Sequence, residues 1–218
     1  MFSQYQLYNI SRDTETELCE IMNRNLSDKG NGHHNYTKLY HEIFNGRRNE
    51  SLNILEIGIG SINPYIPSNM TGGELGKIYR PGASIRGWFE YFPNANLYAC
   101  DVDRDIINFD NNRITGFYFD QTNDTEITNT ITYGSLKDKK FDIIIDDGLH
   151  YFPVNYNVMK YLLPLVNEGG YYIIEDIINT QYNSSLIDTE LLKNKIWQFV
   201  ELPNIKNVCD NNLFIVKC

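Results

Sequence analysis

The sequence predicts an α/β domain built on a mostly parallel sheet with helices on both faces. Three observations carry that expectation. Phe141-Asp142-Ile143-Ile144-Ile145 is a short, nearly continuous apolar run that ends in Asp146-Asp147-Gly148-Leu149-His150, and one helical pattern later Tyr171-Tyr172-Ile173-Ile174 ends in Glu175-Asp176. Runs of this kind suit parallel strands buried on both faces. Upstream, Leu52-Asn53-Ile54-Leu55-Glu56-Ile57 enters Gly58-Ile59-Gly60, and strand and helix patterns alternate from there almost to the end.

The elements follow in order. Thr14-Glu15-Thr16-Glu17 reads as a capping box opening a helix to about residue 23, with Leu18 and Met22 on one face. A second helix is expected over 37–44, stopping at Asn45-Gly46. These two helices make residues 1–50 an N-terminal extension ahead of a main domain over 51–218. After the first strand, residues 61–83 carry prolines, Gly72-Gly73 and Pro81-Gly82, the composition of a lid or substrate loop. Ser84 is placed to cap a helix running to Tyr91, which Phe92-Pro93-Asn94 ends. Strands are expected over 96–100 and 116–119, and the fourth ends at Asp146. A helix over 153–165 leads to a Glu168-Gly169-Gly170 turn and the fifth strand. The tail reads as a helix over 189–195, then strands over 197–202 and 213–217. With only a loop between them, those two strands predict an antiparallel hairpin at the sheet edge.

Composition narrows the function. The 218 residues hold 42% hydrophobic and 22% charged side chains, ordinary for one globular unit. A net charge of −9 without a basic stripe speaks against nucleic acid or an anionic membrane as the main partner. Cys19, Cys100, Cys209 and Cys218 show no paired spacing, so neither a zinc knuckle nor a redox pair is expected. With no secretory leader and no run long enough to span a membrane, a cytoplasmic protein with reduced thiols is the expectation.

The chemistry lies at the strand tips, because ligands of open α/β sheets bind outside the carboxyl ends of the strands. Neighbouring strands lie only about 5 Å apart. Asp147, Glu175 and Asp176 would then share one crevice with His150 beside them. Crowded carboxylates stay ionised only beside a cation, and an all-oxygen set favours a hard one such as Mg²⁺. His150 has the side chain best suited to move a proton near neutral pH. Gly58 and Gly60 allow a close backbone approach, though Asn63 leaves the dinucleotide-binding glycine pattern incomplete and a tight turn is the plain alternative. Asp101 at the second strand tip suits ribose hydroxyls or a helix cap. Asp120-Gln121 at the third suits an adenine amine. Asp28-Lys29-Gly30 and His33-His34-Asn35-Tyr36 read as loop chemistry before a helix.

Together these segments resemble the class I methyltransferases that use S-adenosylmethionine. Within that class they look like the divalent-metal-dependent sugar O-methyltransferases of the mycinamicin and macrocin type. The resemblance runs through Ser27-Asp28-Lys29, His34-Asn35-Tyr36, Tyr40, Leu55-Glu56-Ile57-Gly58, the Gly82 to Ala95 stretch, Asp120-Gln121, the Asp146 to His150 run, and Gly169-Gly170 through Asp176. It covers roughly residues 27–180. It implies a Rossmann-like, seven-stranded sheet with the last strand antiparallel. It also implies an S-adenosylmethionine site comprising Glu56, Gly58, Ser84, Asp101, Asp120, Gln121 and Asp146. Asp147, Glu175 and Asp176 would hold Mg²⁺ or another divalent cation, with His150 as base and Asp147 as the second catalytic group. The acceptor expected is a sugar or nucleotide-linked sugar of a bacterial surface polysaccharide such as a capsule. Members of that family commonly form oligomers, so a homo-oligomer is compatible with the resemblance. Leu149 stands where that family usually has Ser, the 61–83 loop is longer, and the C-terminal part is short.

Two other readings compete. Asp101-Val102-Asp103 is a triplet that holds a metal on a nucleotide-sugar diphosphate in glycosyltransferases, but it leaves the Asp147 and Glu175 clusters without a role. A non-catalytic binding subunit of the same fold is the other, and the assembled acid–base–metal set speaks against it.

Overall fold

The computed structural model describes residues 2–30, 33–68, 70, 78–204 and 206–218. Seven strands form one sheet in the order β3-β2-β1-β4-β5-β7-β6. They are β1 (Asn53–Ile57), β2 (Asn96–Asp101), β3 (Ile114–Tyr118), β4 (Phe141–Asp146), β5 (Val166–Ile174), β6 (Ile196–Glu201) and β7 (Asn212–Lys217). The pairs β1–β2, β1–β4, β2–β3 and β4–β5 are parallel, whereas β7 runs antiparallel to both β5 and β6. This is the Rossmann-like sheet with its last strand reversed. The tail pair does form, but β7 inserts beside β5 and leaves β6 as the edge.

Alternation along each strand divides the core in two. Ile54, Ile143 and Ile173 face one apolar cluster, while Leu55, Ile144, Tyr172 and Phe214 face the other. The first cluster also takes in Leu18, Met22, Tyr36, Tyr40 and Phe44, so residues 1–50 share the core of the sheet rather than forming a unit of their own. Trp88, Tyr36, Tyr40 and Phe44 are fully buried there. Each such side chain contributes about 1.5–3 kcal/mol by leaving water.

Several local expectations are corrected. The first helix is Gln4–Arg12, opened by a Ser3/Gln6 capping box, and the next is Glu17–Arg24. Its cap is Thr16, whose hydroxyl accepts from the Cys19 amide, so the box does not begin at Thr14. The helix Ala83–Tyr91 is preceded by Gly82 at φ +76, which makes Ser84 a residue of the first turn rather than the cap. A helix at Asp124–Thr132, capped by Asn123, fills the gap left between the third and fourth strands. Glu168 to Gly170 belongs to β5 itself, and the register shift between Phe141 and Ile143 absorbs the irregularity there. Residues 189–195 form turns instead of a helix, with Asn194 at φ +64, and the short helix lies earlier, at Thr180–Ser184. Gly72-Gly73 lie outside the described residues. Pro67, Ser68, Met70 and Tyr79, from the same segment, line a cavity over the strand tips. No helix among the described residues is long and apolar enough to cross a membrane.

Candidate active site

The sheet order lays three regions side by side along its carboxyl edge: the tips of β1 to β3, of β4 and β5, and of β7 and β6. Over the first lies a cavity of about 200 Å³ lined by Gly58, Gly60, Ser84, Asp101, Asp120 and Gln121, among others. Gly58 sits at φ +80, and a Cβ there would come within 2.2 Å of the Asp147 carbonyl oxygen, so only glycine fits. Asp101 shapes the same turn. Its Oδ2 accepts from the Ile59 amide (2.9 Å) and its Oδ1 from the Asp103 amide (2.9 Å), while Asp103 accepts from the Ser61 hydroxyl and the Asp105 amide. The Asp101-Val102-Asp103 triplet is thus spent on loop structure rather than arranged as an open metal pair.

Gln121 and Asp120 line the cavity; both amide atoms of Gln121 are engaged, and Oδ1 of Asp120 takes both of the Thr122 bonds. Gln121 Nε2 donates to Asp146 Oδ1 (2.6 Å), its Oε1 accepts from the Leu149 amide (2.9 Å), and Asp120 accepts from Thr122. Asp146 is fully buried and, like Glu56, is not among the residues lining the cavity. It also accepts from Asn155 Nδ2 (2.8 Å) and Tyr172 Oη (3.3 Å), bracing the loops at the tips of β3 and β4. Burial pushes its pKa up to about 7, only partly offset by the Asn155 and Gln121 hydrogen bonds. The folded state therefore favours protonated Asp146, and that stabilisation is lost as pH rises from about 4 through 7. Asp146→Asn, in which the Tyr172 hydroxyl turns to accept, should remove on the order of 3 kcal/mol of this dependence. Melting temperatures of both proteins at pH 4.5 and 7.5 test it; equal slopes would refute it.

Between the tips of β4 and β5 the acidic residues converge. His150 Nε2 lies 3.1 Å from Asp147 Oδ1, and its Nδ1 lies 3.4 Å from Asp176 Oδ2. One ligand atom from each of Asp147, His150 and Asp176 falls within a 4.8 Å span, a set that fits a divalent cation. His150 and Asp176 both hold left-handed backbone, at φ +55 and +57, a cost concentrated at the one place where these side chains must face each other. Burial lowers the basicity of His150, but its hydrogen bond to Asp147 and the charges of Asp147 and Asp176 outweigh this and raise its pKa to about 10. In this arrangement His150 is an imidazolium.

Glu175 points elsewhere. Lys29, from the N-terminal extension, is 1% exposed and reaches between Glu175 Oε2 (2.5 Å), Asp147 Oδ2 and Glu56 Oε1 (3.3 Å). Tyr40 Oη donates to Glu175 Oε1 (2.5 Å). An ammonium thus occupies the inner half of the crevice, where the sequence expectation placed Glu175 on the metal. Burial alone would lower the Lys29 pKa; Asp147, Glu175 and Glu56 outweigh it and hold the group well above its ordinary value, so it stays charged. Nothing near Asp28-Lys29-Gly30 signals this role, since burial of Lys29 exists only once the extension docks. Tyr36 Oη lies 2.8 Å from Asp176 Oδ1, and His34 Nε2 lies 3.5 Å from the same oxygen. The extension therefore supplies four side chains that touch the acidic cluster.

Glu56 is fully buried beneath the cavity, and neither carboxylate oxygen has a well-formed hydrogen bond despite the nearby Lys29 ammonium. Burial raises its pKa to about 7, against the pull of Lys29. Glu56 does not line the cavity; it lies behind it at the end of β1, with Lys29 at 3.3 Å and Ser84 as its polar neighbours.

No protein-family model matches the chain. It is 34% identical over 166 residues to the mycinamicin VI 2''-O-methyltransferase of Micromonospora griseorubida, covering 74% of this chain and 36% of that protein. It is 33% identical over 165 residues to the demethylmacrocin O-methyltransferase of Streptomyces fradiae, with the same two coverages. The chain thus spans about a third of the length of the curated relatives it matches. Among solved structures, MycE methyltransferase from the mycinamycin biosynthetic pathway, in complex with Mg and SAH, superposes with a TM-score of 0.59 at 27% identity, over 75% of this chain and 38% of that one. Its complex with Mg, SAH and mycinamycin VI gives 0.68 over 95% of this chain and 55% of that one; at 24% identity this speaks to the fold alone.

Proposed function

We propose that the chain, which resembles the sugar O-methyltransferases of the mycinamicin and macrocin type and has the Rossmann-like methyltransferase fold, transfers a methyl group from S-adenosylmethionine to a sugar hydroxyl. The observation that carries the reading is the Asp147–His150–Asp176 group at the tips of β4 and β5, beside the cavity over Gly58 and Asp101. S-adenosylmethionine would supply the methyl, and a divalent ion on Asp147 and Asp176 would polarise the acceptor hydroxyl and draw off the carboxylate charge that holds His150 protonated.

The chain's own residues do the rest. Gly58 and Gly60 let the cofactor lie against the backbone, and Asp101 has lone pairs left for ribose hydroxyls. Glu56, buried at the end of β1 beside Lys29, supplies negative charge behind the cofactor's amino group. His150, once neutral, takes the acceptor proton at a ring nitrogen as the oxygen attacks the methyl carbon and the sulfonium leaves as a thioether. Holding nucleophile and methyl in line accounts for much of the rate, and Pro67, Met70 and Tyr79 line that space.

The acceptor proposed is a nucleotide-linked sugar of the kind that feeds a surface polysaccharide, methylated in the cytoplasm. The relatives named above act on antibiotic glycosides, which supports the sugar hydroxyl and not the polysaccharide. Saturating S-adenosylhomocysteine, at about 100 times its Kd, should add about 2.7 kcal/mol, or roughly 5–10 °C in Tm. Stabilisation by a nucleoside diphosphate with none by S-adenosylhomocysteine would point to sugar transfer instead. Turnover of sugar acceptors with S-adenosylmethionine and Mg²⁺ should collapse when a chelator is added; activity indifferent to it would remove the metal from the scheme.

A further inference from the structure

Three cations that lie far apart in sequence meet at one cleft. Arg12 ends the first helix, Lys38 lies in the first turn of the helix Tyr36–Phe44, and Lys206 belongs to the loop between β6 and β7. With His34, Asn35 and Asn204 they line a cleft of about 490 Å³. In a chain of net charge −9 this grouping runs against the average field. Lys38 Nζ donates to the carbonyl oxygens of Ser11 (3.0 Å) and Asp13 (2.6 Å), and Arg12 Nη1 to the Tyr8 hydroxyl (2.5 Å). Those acceptors are neutral, so they orient the two cations without cancelling their charge.

The inner wall is built rather than incidental. His34 is 3% and Asn35 7% exposed. His34 Nδ1 lies 3.3 Å from both Asn211 Oδ1 and Asn207 Nδ2, and Asn35 Nδ2 donates to the Pro203 carbonyl (2.9 Å). The other ring nitrogen of His34 is the one 3.5 Å from Asp176 Oδ1, so a single imidazole separates the cleft from the acidic group.

Position along the sheet edge gives the cleft its meaning. The glycine-lined cavity covers the tips of β1, β2 and β3 and reaches Asp147 and His150 at the tip of β4, the Asp147–His150–Asp176 group spans β4 and β5, and the cleft lies beside the loop joining β6 to β7. A cofactor on the first region and a reacting hydroxyl on the second leave the third for the remainder of the acceptor. We infer that this cleft binds a phosphate or diphosphate group carried by the acceptor, with Arg12, Lys38 and Lys206 as its cations. The inference rests on the acceptor reading above and deepens it. Several cations around so large a cleft match a multiply charged group better than a single carboxylate, which one arginine fork satisfies.

Calorimetric titration of the full chain, with Mg²⁺ and S-adenosylhomocysteine present, tests the site directly. The probes are inorganic pyrophosphate and uridine diphosphate, and the variants are Arg12→Glu, Lys206→Glu and the pair. Both probes should bind the parent, and the double variant should bind them at least tenfold more weakly while its affinity for S-adenosylhomocysteine is unchanged. Equal affinity in parent and double variant would place the phosphate elsewhere and overturn the inference. In turnover, the double variant should raise KM for a nucleotide-linked sugar at least tenfold with kcat within about twofold, a split that general unfolding does not produce. If neutral glycosides alone are methylated while pyrophosphate binding still falls in the variant, the cleft stands and the nucleotide-sugar reading fails. Pyrophosphate binding with no uridine diphosphate binding would assign the cleft to free phosphate and overturn its link to the acceptor.

Discussion

Asp147→Asn and His150→Ala are each expected to lower turnover by about 10²–10⁴-fold, the usual worth of a positioned proton-transfer group. The two side chains act as one device, since Asp147 Oδ1 faces His150 Nε2 at 3.1 Å. The double variant should therefore lose little more than the worse single one, as groups that work as a unit are strongly non-additive. The roles differ in a second measurement. Asp147 and Asp176 carry the charge proposed to hold a divalent ion, so Asp147→Asn should also weaken Mn²⁺ binding, whereas His150→Ala should leave S-adenosylhomocysteine affinity intact. Additive losses, or His150→Ala retaining turnover within threefold of the parent, would remove His150 from proton transfer.

Lys29→Met should destabilise the fold more than any exposed substitution. It leaves Glu56, Glu175 and Asp147 clustered with their shared counter-ion gone, and removing one partner of a buried ionic set costs about 3–5 kcal/mol. In a domain of this size that corresponds to a fall of roughly 10 °C in Tm. The sign of the pH effect follows from the same cluster. Glu56 titrates near pH 7, so below that pH it takes up a proton and has less need of the ammonium. The loss should be smaller at pH 5.5 than at pH 8, and calorimetry of both proteins across that range measures it. A shift under 2 °C at pH 8 would mean that the three carboxylates do not depend on Lys29.

Much of the architecture was legible in the chain itself, for physical reasons that particular segments show. The apolar runs at 141–145 and 171–174 can satisfy both faces only inside a covered sheet, and the tips that follow them carry the acids. The helix Asp124–Thr132 leaves little trace in the sequence because its Thr-rich composition has low helix propensity and its buried face is only Ile127 and Thr130. Residues 189–195 misled in the opposite sense: Leu, Lys and Glu favour helix, yet Asp188 accepts from the Glu190 and Leu191 amides and closes turns instead. The division of labour among the acids was not readable either. Adjacent carboxylates at one strand tip alternate in direction, so Asp176 reaches His150 while Glu175 turns inward to Lys29 and Tyr40.

From the residues alone came the class of fold and the convergence of Asp147, Glu175 and Asp176 with His150 at neighbouring strand tips, of which Glu175 faces Lys29 instead, because hydrophobic period and strand-end composition are local properties. Packing decided which cation meets which acid. Lys29 and the Arg12–Lys38–Lys206 cleft arise only when the N-terminal helices close over the sheet, since the partners of a buried charge are chosen by distance through space and leave no mark on neighbouring positions in the chain.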